Sequence, residues 1–273
     1  MTRIPLMLAG VLPICGTMLP VAHGQAFRIE TVVTQSDGQT ISENLTLLDE
    51  NLIVDFMLMT DKTRFPVEIV AFDINQKRFV LMDTARKVRT ELPESELLKI
   101  LTALQGSSFV DDENRFFFQP DFEEDYDPAT GVLEMRSPRL VYRTHGKRPE
   151  QETTLRTYMQ FVDQFARLNA TDPRRMPPFA RLELNRAIRK YGFIPEEVDI
   201  TLYPEPGNHD SAVNMKSTHV VMWKWSETDH QRMASAKRYW MEFDKVTLKE
   251  YRQLDERPVR TAAAEGPRND VDR

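Results

Sequence analysis

The chain has 273 residues, 42 acidic against 36 basic, and a formal net charge of −6. That length fits one large domain or two small ones, and 41% hydrophobic residues with 15 Phe can supply a packed core. The acidic balance leaves no stripe of Lys and Arg with which to displace counterions from a phosphate backbone, so nucleic acid is excluded as a partner.

The first 26 residues have the order of a secretory signal: "MTR", then the uncharged run "IPLMLAGVLPICGTMLPVA", then the small residues of "HGQA". Small residues fit the −3 and −1 positions in two frames, with cleavage after Gly24 or after Ala26. A membrane anchor is the competing reading, but Pro5, Pro13 and Pro20 interrupt a run that a spanning helix needs at about 20 apolar residues. The lone Cys15 follows Pro13 and Ile14, where an acylation motif has small residues, so it predicts no lipid anchor. Once the signal is removed no cysteine remains, and neither a disulfide framework nor a thiolate site can form. Localisation is accordingly expected to be periplasmic or secreted, with no stable membrane span after cleavage.

From Phe27 the text reads as strands. "FRIETVVTQ" and "TISENLTLL" flank "SDGQ", whose Asp37-Gly38 pair marks a hairpin. "NLIVDFMLM", "VEIVAFDI" and "RFVLMD" add three more runs, joined by "DKTRFP" and "NQK". Five strands with short links predict an antiparallel meander. "ELPESELLKILTALQG" then predicts a helix, with Pro93 in its first turn, Leu97, Leu98, Ile100, Leu101 and Leu104 inward, and Gly106 as the stop. After an acidic stretch, "VLEMR" and "RLVYRTH" read as strands. Residues 155–168 and 179–191 read as helices, the second ended by Gly192. "EVDITLY" and "THVVMWKW" are two further strands, the latter placing Trp223 and Trp225 on one face. Thr228 and Gln231 predict a capping box opening a last long helix through Met233, Trp240 and Phe243. Residues 256–273 lose all periodicity and read as a disordered tail. The expected organisation is a signal peptide over 1–26, one α+β domain over 27–255, and the tail.

Three patterns suggest chemistry. Gly207-Asn208-His209-Asp210 spells the G-N-H-D block of calcineurin-like metallophosphoesterases, which clamp a phosphoryl group between two metals held by several such blocks. The companion D-x-H, G-D and G-H-x-H strings are absent, only four histidines follow Ala26, and turn formers explain the block as a bend between strands. In the acidic stretch 111–131, Glu123, Asp125 and Asp127, with Glu134 beyond it, have the spacing of a calcium loop. Pro128 stands where that loop needs Gly, so a solvated loop is the expected state. No nucleophile elbow, dinucleotide fingerprint or P-loop occurs, so no catalysis and no cofactor are expected, and no metal site.

The segment "VVTQSDGQTISENLTL" behind Phe27, and the paired strands of "VEIVAFDINQKRFVLMD", resemble the front half of the LolA-like family of bacterial envelope proteins. The resemblance spans residues 27–105. It implies an α+β fold in which a strongly curved antiparallel sheet, an open half-barrel, wraps about four helices around an apolar cavity for acyl chains. It also implies a lipid or lipoprotein partner. The residues themselves add one point. Strands three to five are apolar on both faces, and such antiparallel strands must be covered twice. Alternation sets Met57, Met59, Val70 and Phe72 on the side opposite Phe56, Leu58, Ile69 and Ala71, and these four are the candidate apolar-ligand residues, Met being suited to an adaptable surface. The alternative is a structural or protein-interaction domain in which the helix of residues 155–168 fills that side.

Overall fold

The computed structural model describes residues 26–58, 66–106, 115–205 and 210–253. Residues 1–25 of the signal segment, Met59, the block Gly207–His209, residues 107–114 and the 256–273 tail lie outside the described residues.

Two meanders build one open sheet. The first runs β1 (Phe27–Gln35), β2 (Thr40–Leu48), β3 (Leu52–Leu58), β4 (Pro66–Asp73), β5 (Arg78–Asp83) and β6 (Val88–Pro93). The second runs β7 (Glu123–Asp127), β8 (Val132–Arg136), β9 (Leu140–Lys147), β10 (Ile194–Leu202) and β11 (Val213–Met222). They join where β1 pairs antiparallel with β11, with Thr31 opposite His219. A two-residue strand, β12 (Asp244–Lys245), adds to β6 in a parallel pairing. The order β12-β6-β5-β4-β3-β2-β1-β11-β10-β9-β8-β7 leaves the sheet unclosed.

Six helices pack on it: α1 (Glu94–Gln105), α2 (Arg115–Phe118), α3 (Glu152–Leu168), α4 (Phe179–Tyr191), α5 (Glu227–Glu242) and α6 (Leu248–Arg252). The expected α+β class and largely antiparallel open sheet are what the chain forms. β6, β7, β12 and the two shortest helices were not expected. In β6 the charged Arg89 and Glu91 alternate with Val88, Thr90 and Leu92, and the two charges neutralise each other in an ion pair within the strand. In β7 the acidic residues lie along a strand rather than a loop: Glu124 accepts from Lys190 and from the Tyr191 hydroxyl, and Tyr126 stacks on Tyr191.

The helices divide between the two faces. One face carries an apolar cluster reaching across both meanders, from Ile53, Phe72 and Phe79 to Leu133, Tyr142 and Val198. It is closed by Leu97 and Leu101 of α1, Tyr158 and Val162 of α3, and Leu184 and Ile188 of α4. The other face is apolar only over β2–β5, where Leu45, Leu47, Val54, Phe56, Ile69, Ala71, Val80 and Met82 meet Met233, Ala236 and Phe243 at and beyond α5. The start of α5 differs from the expected Thr228–Gln231 box. Ser226 is the N-cap and Asp229 its reciprocal partner, because Asp229 also accepts from Arg28 at 3.0 Å and is held there by β1. Trp223 and Trp225 do not share a strand face, since β11 ends at Met222. The Trp225 indole donates to the Phe27 carbonyl at 2.9 Å, and Trp223 lies half-exposed near the Phe27 ring.

Gly146 marks a point of close approach. A Cβ there would sit 2.0 Å from the Ile194 carbonyl oxygen, beside the register shift between β9 and β10.

Candidate functional site

Two of the four expected ligand residues are core. Val70 and Phe72 are buried under α3, and Phe72 packs at 4.7 Å on Phe79, whose ring meets Phe165 of α3 edge-on at 5.7 Å. Alternation assigns the faces as expected: Asp55 pairs with Val70 and Ile53 with Phe72, while Phe56 and Ile69 look the other way. Met57 is half-buried and lies across from Glu68, where the apolar cluster gives way to a polar rim. Met59 lies outside the described residues.

That rim gathers polar side chains from several strands and helices. Asp55 is buried beside Val70, accepting from the Thr46 hydroxyl at 2.7 Å and from the Asn44 amide at 2.7 Å. Burial pushes its carboxyl up to about 6, against these two hydrogen bonds, and the nearby charge of Glu68 raises it further. Glu68 accepts from the Tyr251 hydroxyl at 2.9 Å and from Arg252 at 3.2 Å, and Arg252 also donates to Thr171 at 3.1 Å. Burial, with Glu68 next to it, drives the Tyr251 phenol far above its ordinary range, so it stays protonated as a donor. Burial alone would raise Asp172, but the two Arg174 bonds at 2.7 Å outweigh it and hold the carboxyl below its ordinary value. Between these groups opens a cleft of about 270 Å³, lined by Val67, Tyr251 and Gln253, with Arg86, Arg174, Arg175 and Arg252 facing Glu68, Asp83 and Asp172.

The sequence signal for this cleft is weak because its parts are far apart. Glu68 and Asp83 sit on β4 and β5, Arg86 in a hairpin turn, Asp172–Arg175 after α3, and Arg252 at the end of α6. "DPRRMPP" reads as a helix breaker on its own. Its double Arg gains meaning only when α6 returns to the sheet.

Among the described residues the histidines are spread over separate places. His145 falls in line with Glu197 and Thr218 on one face of the sheet, and His219, the residue after Thr218, on the other. His230 sits on α5, edge-on to Trp225. Among the described residues, no group of three or more His, Cys, Asp or Glu side chains is placed to hold a metal. The G-N-H-D block falls in the connection between β10 and β11, and His209 itself is outside the described residues. The calcium-loop spacing is broken by the β7–β8 hairpin. Asp127 turns inward to accept from the Ala129 amide and the Thr130 hydroxyl, and Glu134 faces Asp125 but pairs with Arg136 and Arg143.

One arrangement has the outline of a catalytic dyad. His219 lies between the Thr31 hydroxyl, 3.0 Å from Nδ1, and the Ser217 hydroxyl, 3.2 Å from Nε2. Burial, helped by the charge of Arg181, pushes its imidazole down to about 3, far from the value near neutrality that a general base requires. The ring is a neutral hydrogen-bonding bridge between β1 and β11.

No family model matches the chain, and no curated protein matches it. Among solved structures, PNGF-II in its P21 crystal form aligns with 84% of this chain at 7% identity and a TM-score of 0.35. The chain spans about a third of that protein's length, 33%. The ywiB protein from Bacillus subtilis aligns with 71% of this chain and 88% of its own, at 8% identity and a TM-score of 0.11. TM-scores this low transfer neither fold nor activity. Among the described residues no helix is long and apolar enough to cross a membrane.

Proposed function

We propose that this chain is an exported, non-catalytic structural or protein-interaction domain of the cell envelope, with its sheet filled by its own helices rather than by an acyl chain. The observation that carries this reading is the two-sided cover of β3–β5. Val70, Phe72, Phe79 and Leu81 pack beneath α1 and α3, and Ile69, Ala71, Val80 and Met82 beneath α5. A carrier keeps one apolar surface free for cargo. Here both surfaces of the doubly apolar strands have an internal partner. The reading retains the LolA-like plan of open sheet and helices as an architectural likeness, without its lipid or lipoprotein cargo. Export rests on the n-, h- and c-region order of residues 1–26. Contact with a partner falls to the surface, where Leu52, Trp240 and the exposed Met241 border a shallow apolar hollow with Lys237 and Asp73 at its rim.

Native mass spectrometry with lipid extraction, on protein purified from its own envelope, tests the reading. The expected result is a mature chain free of stoichiometric lipid that takes up no fluorescent fatty acyl probe. A lipid co-purifying one to one, displaced by the probe, would establish a carrier instead.

A further inference from the structure

Among the described residues, the arginine cleft at the rim of the core carries a surplus of positive charge. Four guanidinium groups, Arg86, Arg174, Arg175 and Arg252, meet three carboxylates, Glu68, Asp83 and Asp172. Three of the guanidiniums are fixed by close partners. Arg86 donates to Asp83 at 2.7 Å and to the Tyr251 carbonyl at 2.6 Å. Arg174 forks onto both Asp172 oxygens at 2.7 Å. Arg252, itself only 8% exposed, bridges Glu68 and Thr171, and its buried Nε has no partner. Arg175 differs. Its one ion pair is a loose 4.0 Å approach to Glu68, and its side chain is 42% exposed at the mouth of the cleft.

From this geometry we infer that the cleft is a binding site for a small oxyanion, a phosphate or carboxylate group, with Arg175 as the arm that closes on it. A planar guanidinium fork matches either group bidentately and carries its charge at every usable pH. The three fixed arginines are neutralised by their carboxylate partners and offer N–H donors with no further ordering required, and the surplus positive charge is that of Arg175. Each carboxylate that could repel the ligand is already engaged: Glu68 accepts from Tyr251 and Arg252, Asp83 from Arg86, and Asp172 from Arg174. The walls are polar and the volume, about 270 Å³, suits a compact anion rather than an acyl chain. The site is independent of the filled core and goes beyond the structural reading above.

Isothermal titration of the mature chain at fixed ionic strength tests the inference, using inorganic phosphate, glycerol 3-phosphate and acetate as separate probes. Wild-type protein is expected to bind at least one of them saturably with a stoichiometry of one. Preference for inorganic phosphate over glycerol 3-phosphate marks a free anion as ligand, the reverse marks a phosphate ester, and preference for acetate marks a carboxylate. Arg175→Gln should weaken binding about tenfold or more, the loss of a charge-assisted contact. Its melting temperature without ligand should be unchanged, because the side chain is exposed. Arg156→Gln on the outer face of α3 removes the same charge far from the cleft and should bind as wild type. No saturable binding of any probe, or equal affinity in Arg175→Gln and Arg156→Gln, overturns the site. Neither result bears on whether the core holds lipid.

Discussion

Strand β4 of the first meander and strand β11 of the second differ in one respect that organises the whole molecule. In β4 the consecutive residues Ile69, Val70, Ala71 and Phe72 are all buried, whereas along β11 exposure alternates from Asn214 to Met222. The difference follows from the helices. α1 and α3 cover one face of the first meander and α5 the other, so every residue of its central strands meets protein. The second meander is covered by α3 and α4 on one face only. Its other face shows Glu134, Arg143, Glu197 and Lys216 to solvent as cross-strand ion pairs. An antiparallel strand can afford solvent on one side if it alternates, and the composition of each strand shows how many sides are covered.

The sharpest test of that contrast is a large-to-small change in the doubly covered half. Phe79 is fully buried between Phe72 and Phe165. Phe79→Ala should cost roughly 3–5 kcal/mol in denaturant unfolding, from lost burial and the cavity left behind. The matching change on the open face, Val220→Ala, should stay within about 0.5 kcal/mol. Equal costs would mean that something outside the chain covers the second meander too. A silent Phe79→Ala would mean that the core under α3 is not packed and has room for a ligand.

The second meander is sensitive through its backbone instead. Gly146→Ala forces a Cβ to 2.0 Å from the Ile194 carbonyl, and no side-chain rotation relieves a clash with backbone. The strands must part at the β9–β10 register shift, at a cost of roughly 1–3 kcal/mol. Hydrogen exchange should show protection lost first between β9 and β10. Loss spread evenly over both meanders would instead tie the two halves into one cooperative unit.

A third test separates the rim of the core from its middle. Burial pushes Asp55 up to about 6 from an ordinary 3.8, so between these values the folded chain holds a proton that the unfolded chain has lost. Stability from this group is therefore full below the unfolded value and falls as pH rises through the folded one. Asp55→Asn keeps the shape, and the Thr46 hydroxyl and Asn44 amide can turn to suit it. The variant should gain roughly 2–3 kcal/mol on wild type between pH 3.5 and 7.5, the upper bound set by the shift. His219, pushed down to about 3, acts in the opposite sense, but it is common to both proteins and cancels in the difference. A flat difference across that range would place Asp55 in water.

Much of this contrast was legible in the sequence. The doubly apolar runs "NLIVDFMLM", "VEIVAFDI" and "RFVLMD" predict the two-sided cover, and the period of residues 155–168 predicts the helix on one side. The charged strands were harder. β7 reads as a solvated loop because its burial comes from Lys190 and Tyr191, 66 and 67 residues away. A local signal did exist. Asp73, Asp83 and Asp127 each accept a backbone amide within their own turn, and the fourth residue after each, Lys77, Lys87 or Gly131, takes a positive φ. Asp followed four residues later by Lys or Gly would have located β6 and β7 from their turns. The arginine cleft had no such signal, since its charges converge only in the folded chain.

The smallest expected effect probes the open face most directly. Glu134 on β8 accepts from Arg143 of β9 at 3.3 Å and from Arg136, and both arginine side chains are more than half exposed. Exposed pairs lose most of their Coulomb energy to water and salt, so Glu134→Gln should cost under about 0.5 kcal/mol at low salt and less as salt rises. The same substitution beneath a covering layer would leave two guanidiniums buried without a counter-charge and would cost several times more, with little salt dependence. Measured on the purified chain, a small, screenable cost agrees with a face open to water. Repeated in the cell that makes the chain, a cost that grows and resists salt would place a partner on this face, over β8 and β9, and not at the hollow beside Trp240.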